Sequence, residues 1–184
     1  MIIKGTSIKG TYDYVKRFYP ERFEEWMESL SEEHKTIYSG AIIISEWYPV
    51  EAMIEPTKKI AELFFDGDIK KCAWDLGRFG ADTVLGGIYK ALIQIATPGF
   101  LINRASKILT TYYKDADMEV IDYTAKFCKI RFTKLPKNES LIEYNICGWM
   151  EMALEKVGCN DIKIVQLTSL ANGDLFSEYD ISWI

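Results

Sequence analysis

Few residues in this chain have the types and spacing that could do chemistry. The sequence of 184 residues holds one histidine, His34, and four cysteines, Cys72, Cys128, Cys147 and Cys159. His34 sits in the charged turn SEEHK and reads as a solvated surface residue. A Ser-His-Asp or Cys-His device needs a nucleophile beside the histidine, and nothing near His34 in sequence offers one. The cysteines form no Cys-x-x-Cys pair. With a single histidine they are too scattered for the four clustered ligands of a structural zinc site. The run GRFGADTVLGG (77–87) has Gly-x-x-Gly spacing and follows no strand. It is neither a dinucleotide fingerprint nor a phosphate loop. Asp66, Asp68 and Asp75 read as helix caps or solvated carboxylates. These groups predict no catalysis, so the chain reads as a non-enzyme.

The stretch KKCAWDLGRFGADTVLGG (70–87) poses a sharper question. It reads as helix, yet it carries Gly77, Gly80, Gly86 and Gly87. Each glycine inside a helix is about 1 kcal/mol less favourable than alanine. Ile69, Cys72, Leu76, Gly80, Thr83 and Gly87 recur at steps of three or four and share one stripe. Missing side chains along it imply either a second helix in close contact or space kept for a bound molecule. Spacing alone favours close packing over ligand space.

These residues must be positioned by a mostly helical N-terminal two-thirds. In PERFEEWMESL, Phe23, Trp26, Met27 and Leu30 make one apolar stripe. Ser31 is an N-cap and Gly40 a stop for the next helix. YPVEAMIEPTKKIAELFF has a buried face from Val50 to Phe64, interrupted at Pro56, where a kink or break is expected. A helix capped by Asp66 or Asp68 should run to about Thr97, before Pro98, and GFLINRASKILTTYY should form another. Then the period changes. In KFCKIRFTK, Cys128, Ile130 and Phe132 alternate with Lys129, Arg131 and Thr133, a half-buried strand; MEVIDYTA should pair with it. SLIEYNICGWMEMALEKVG returns to helix, with Ser140 and Glu143 as a capping box and Gly158 as the stop. A hairpin closes the chain, DIKIVQLT and FSEYDISW joined over Asn172-Gly173. The fold class is α+β, one domain over 1–184. N-terminal helices pack on a four- or five-stranded antiparallel sheet, in the order helices-β-β-α-β-β.

Bulk composition narrows the partners. Nearly half of the residues (48%) are hydrophobic, enough for a packed core. With 22 basic and 27 acidic residues the net charge is −5, a poor match for nucleic acid or anionic lipid. The greasiest run, VLGGIYKALIQIATPGFLI (84–102), contains Lys90, Gln94 and Pro98, so no membrane span is expected. MIIKGTSIKG has no long apolar run of the signal-peptide kind. Reduced cysteines in a cytoplasmic protein are therefore the expectation.

The order of several segments carries a family resemblance. IKKCAWDLGRFGADTVLGGIYKALIQIATPG resembles the cysteine-bearing helix pair of the small Bet-type subunits of the TRAPP vesicle-tethering complex. SLIEYNICGWMEMALEKVG is similar to their penultimate helix. SEWYPVEAMIE and the final YDISW look closer to bacterial relatives, the vinyl-4-reductase-type domains and a paralogous family abundant in myxobacteria. This superfamily of nitric-oxide signalling and Golgi transport also includes the haem nitric-oxide-binding domains. The resemblance covers about residue 45 to the end. It implies a fold that often dimerises and commonly holds a small or apolar ligand between helices and sheet. It also matches Cys72 to the cysteine that carries an acyl chain in the TRAPP subunits. Haem-binding members have an axial histidine and a Tyr-x-Ser-x-Arg motif; this sequence has only His34 and no such motif. Zinc-binding relatives use cysteines in the last hairpin, where Thr168, Ser169 and Ser177 stand here. No haem, zinc or other cofactor is expected.

Together these readings predict a non-enzymatic, sensor-like domain for an apolar small molecule or acyl chain. The competing reading is a ligand-free assembly module. The expected site is Cys72, Leu76, Gly80, Thr83 and Gly87 from one helix and Ile146, Trp149, Met150 and Ala153 from another. Small residues at Ala73, Gly80, Gly87 and Ala91 predict a homodimer paired through the first of these helices.

Overall fold

A computed structural model describes all residues except Ile88 and Asn138. Strand β1 (Ile2–Lys4) leads into α1 (Gly5–Phe18), α2 (Phe23–Ser29) and α3 (Glu32–Ser39). Then come β2 (Trp47–Pro49), α4 (Glu51–Phe64) and α5 (Ile69–Gly86), followed by the short α6 (Lys90–Ile93), α7 (Pro98–Ile102) and α8 (Ala105–Tyr112). The remainder is β3 (Tyr113–Lys114), β4 (Asp117–Thr124), β5 (Phe127–Lys134), α9 (Ser140–Lys156), β6 (Lys163–Thr168) and β7 (Ser177–Ser182). The class is α+β, with the helices against an antiparallel four-stranded sheet of order β4-β5-β7-β6. A second small sheet, β2-β1-β3, ties the N-terminus to the end of α8.

Alternation along β5 and β7 sets the two faces of the main sheet. Cys128 pairs with Ile181 and Ile130 with Tyr179, all buried against the helices. Lys129 pairs with Asp180 and Arg131 with Glu178 on the outer face, where ion pairs join them at 2.8 and 2.7 Å. Slipping the register by one residue would exchange the two sets and bury the charges. Arg131 also holds the Glu178 carboxyl below its ordinary range through their hydrogen bond.

Several helix signals are realised. Ser31 accepts from the His34 backbone N–H, and Asp68 accepts from that of Lys71 at 2.9 Å. Gly173, with φ 95°, makes the left-handed turn of the last hairpin.

Other expectations are corrected. Pro56 does not break α4. Its missing N–H leaves the Ala52 carbonyl free one turn earlier, and the buried Tyr38 hydroxyl donates to that carbonyl at 2.9 Å. The Trp26 indole likewise donates to Pro56 O. His34 is buried rather than solvated, its Nδ1 3.0 Å from Ser31 Oγ. The helix from Asp68 stops at Gly86 instead of running to Thr97; Ile88, inside the expected helix, lies outside the described residues. GFLINRASKILTTYY divides into α7 and α8. Finally, Ser140 and Glu143 make no capping box. Glu139 caps α9, accepting from the Leu141 N–H, and Glu143 is drawn into the core.

That buried carboxylate clamps the last hairpin to α9. Glu143 accepts from Ser169 Oγ at 2.7 Å, Gln166 Nε2 at 2.8 Å, the Ala171 N–H at 3.3 Å and Ser177 Oγ. Its desolvation is offset by hydrogen bonds from neutral donors rather than by a facing cation.

Candidate functional site

The central pair of helices is α5 and α9, and glycines decide how they meet. A Cβ on Gly77 would fall 2.0 Å from the Asn145 carbonyl oxygen, and one on Gly148 would fall 1.9 Å from that of Trp74. Neither position admits a side chain, so backbone packs on backbone there. Polar contacts flank the crossing. The Asn145 amide donates to Ala73 O at 3.2 Å and the Trp74 indole to Glu151 at 2.8 Å. Arg78 forms a two-pronged pair with Glu155, both contacts 2.9 Å, the fork geometry suited to a carboxylate.

One turn along α5, at Gly80, open space replaces the close contact. A Cβ on Gly80 would meet only Trp149 Cδ1, at 4.0 Å. Here a cavity of about 140 Å³ lies between α1, α5, α8, α9 and the inner face of the sheet. Leu76 and Gly80 line it from α5, and Ile146, Trp149, Met150, Ala153 and Leu154 from α9. The sheet contributes Met118, Cys128, Ile130, Phe132 and Ile181, and α8 with its adjoining strand contributes Leu109, Tyr112 and Tyr113. Thr6, Ser7, Gly10 and Thr11 of α1 close one side. Among the described residues no Lys, Arg, Asp, Glu or His lines the wall.

Of the site residues expected from sequence, Leu76, Gly80, Ile146, Trp149, Met150 and Ala153 come together on this wall. Cys72, Thr83 and Gly87 do not. Cys72 is fully buried one turn before Leu76, where α4 packs on α5, and its Sγ donates to Thr57 O at 3.7 Å. Burial pushes its thiol up to about 12, so the nucleophilic thiolate is suppressed. Thr83 and Gly87 are exposed, beyond the end of the cavity. The stripe is read in steps of three and four, whereas the wall spans little more than one turn of α5. The small face proposed for dimerisation is also used within the chain. Ala73 is fully buried against α9 and Gly80 faces the cavity.

Sequence reading missed the α1 and α8 walls. One signal was present: Thr6, Ser7, Gly10 and Thr11 repeat small residues at i, i+1, i+4 and i+5, and a Cβ on Gly10 would meet nothing within 4 Å.

The polar atoms of the wall are mostly engaged. The Thr11 hydroxyl donates to Ser7 O and the Asn145 amide to Ala73 O. Burial raises the Tyr112 phenol to about 12, the Tyr89 charge adds to the rise, and a hydrogen bond from the Trp149 indole partly offsets it. Burial likewise raises Cys128 to about 12 and lifts Tyr113 above the ordinary phenol range. Every phenol and thiol on the wall is therefore neutral near pH 7. Among the described residues no three His, Cys, Asp or Glu side chains converge as a metal site would require, and no helix is long and apolar enough to cross a membrane.

No protein-family model matches the sequence, and no curated protein matches it. Solved structures do. An H-NOX protein from S. oneidensis in the Fe(II)NO ligation state superposes with a TM-score of 0.76 at 12% identity, over 98% of this chain and 99% of that one. The Fe(II) unliganded H-NOX protein from K. algicida gives 0.72 at 14% identity, over 98% and 96%. A point mutant of T. Tengcongensis H-NOX gives 0.66 at 13%, over 98% and 97%. The chain has the H-NOX fold along nearly its whole length.

Proposed function

We propose that this chain is a non-enzymatic ligand-binding domain of the sensor type, and that its central cavity takes a small apolar molecule instead of haem. The observation that carries the reading is the wall. It is apolar, uncharged and drawn from both layers of the fold. A ligand would thus touch the helices and the sheet at once, as a sensor requires if occupancy is to bias their packing. The size supports a molecule near that of benzene, since an apolar engineered cavity of about 150 Å³ binds benzene or xenon. Sites for drug-sized ligands begin at about 300 Å³. An acyl chain anchored on Cys72 fits less well, because that thiol points to Thr57 and away from the cavity.

The neighbours' fold makes haem the obvious candidate, and the donor set here does not suit it. Haem iron takes histidine, thiolate, methionine paired with histidine, or tyrosine. The wall offers Met53, Met118 and Met150 without an imidazole, and burial holds Cys128, Tyr112 and Tyr113 protonated. Among the described residues it also lacks a cation to receive the haem carboxylates. The test is a pair of titrations on purified protein. Toluene should bind with one-to-one stoichiometry by calorimetry, and haemin should produce no stoichiometric Soret shift. Toluene failing to bind, or one equivalent of haem binding with a defined axial-ligand spectrum, would overturn the reading.

A further inference from the structure

We infer that the cavity opens to solvent through a slot between α1 and α8, that Gly10 keeps this slot wide, and that ligand enters and leaves there. The inference rests on the reading that the cavity holds a small molecule. The cavity is not sealed, and its sides differ in how well they are closed. On the sheet side Met118, Cys128, Ile130, Phe132 and Ile181 are all buried. At the α5–α9 crossing Gly77 and Gly148 bring backbone against backbone and leave no passage. Between α8 and α9 the Tyr112 ring lies against that of Trp149, their centroids 6.0 Å apart. What remains is the side where α1 faces α8.

Those two helices share a wall without sharing a packing interface. Helix α1 packs on α4 and α5, and α8 packs on β1, β3 and β4. By the helical period, Thr6 and Gly10 fall on a flank of α1. They lie between its buried residues Ile8, Thr11 and Val15 and its charged residues Lys9, Asp13 and Lys16. Across the slot, Ala105 and Ile108 line the cavity and are half-buried, while Ser106, Lys107, Thr110 and Thr111 beside them are exposed. The cavity therefore reaches the edge of both helices.

Gly10 is the narrowest side chain on this rim, and no neighbour requires it. Glycine inside a helix is unfavourable. At Gly5, on the same helix, the reason is contact, since a Cβ would fall 2.2 Å from the Ile43 carbonyl oxygen. At Gly10 a Cβ would meet nothing within 4 Å, although the residue lines the cavity and is itself half-buried. Open space at position 10 gives a ligand passage without unfolding either layer, as a sensor that follows a changing concentration requires.

Stopped-flow fluorescence of the full chain with iodobenzene tests this, because iodine quenches indole emission on contact and Trp149 is the tryptophan on the cavity wall. Gly10→Leu should slow association and dissociation alike, each by about tenfold, and leave the dissociation constant unchanged. Unaltered rates would place the mouth elsewhere and overturn the inference. Weaker binding at an unaltered association rate would also overturn it, by placing position 10 inside the pocket. No saturable quenching in the unaltered chain would overturn the cavity reading as well. Should Gly10→Leu fold poorly, Ile108→Ala decides from the opposite rim. It should speed both rates, and rates equal to those of the unaltered chain would refute the slot.

Discussion

Gly77 and Gly80 lie one turn apart on α5 and both border the cavity, yet their absent side chains serve different ends. At Gly77 the absent side chain lets α9 approach until backbone touches backbone, with Gly148 answering from the other helix. At Gly80 it leaves open space bounded by the edge of an indole. The close helix contact is realised at Gly77, and Gly80 faces open space. A close crossing holds the two helices together, and the cavity opens beside it, where Gly80 carries no side chain. A glycine in a helix therefore signals a missing side chain but not what replaces it. The partner helix decides that, through Gly148 at one level and Trp149 at the next.

Substitutions separate the two regions. The largest effect is expected at the crossing. Gly148→Val puts three carbons where none fit, and the purified chain should show no cooperative thermal transition. The milder Gly77→Ala should destabilise by about 2–3 kcal/mol in chemical denaturation. Ordinary stability in either variant would show that the helices are not in backbone contact.

Next comes the Glu143 clamp, which fixes α9 from its far side. Glu143→Ala strands buried donors of Ser169, Gln166, Ala171 and Ser177, and about 2 kcal/mol should be lost by the same measurement. Hydrogen exchange should rise first in β6 and β7. A uniform rise across the chain would contradict a local clamp.

The smallest effect, and one of opposite sign, belongs to Gly80. Its new methyl meets only an ordinary contact at 4.0 Å. Gly80→Ala should therefore stabilise the helix by about 0.5–1 kcal/mol, while toluene binds more weakly by calorimetry. A destabilised Gly80→Ala would place this glycine with Gly77, in the packed crossing.

What the sequence discloses follows from how local each signal is. The β5 and β7 faces are legible because alternation is written in adjacent residues, and Ser31, Asp68 and Gly173 are legible because caps and turns are local. The α9 half of the wall is legible as a helical face. Glu143 is not. A carboxylate three residues after Ser140 looks like a capping box, and only the hairpin more than twenty residues later shows that its donors lie elsewhere. Pro56 misleads because the Tyr38 hydroxyl that relieves it comes from another helix. Cys72 shares a stripe with Leu76 and Gly80 on paper, but α4 covers it. The β2-β1-β3 sheet has strands of two or three residues, too short to carry a period.

The most direct test of the central claim is a crystal structure of the full chain pressurised with xenon. Xenon enters apolar cavities of this size without needing a polar partner. The account predicts an ordered xenon site between Gly80 and Trp149, with the Gly77–Gly148 crossing unchanged. Side chains closed over that space with no xenon there, or a chain of ordered waters filling it, would contradict a cavity built for an apolar ligand.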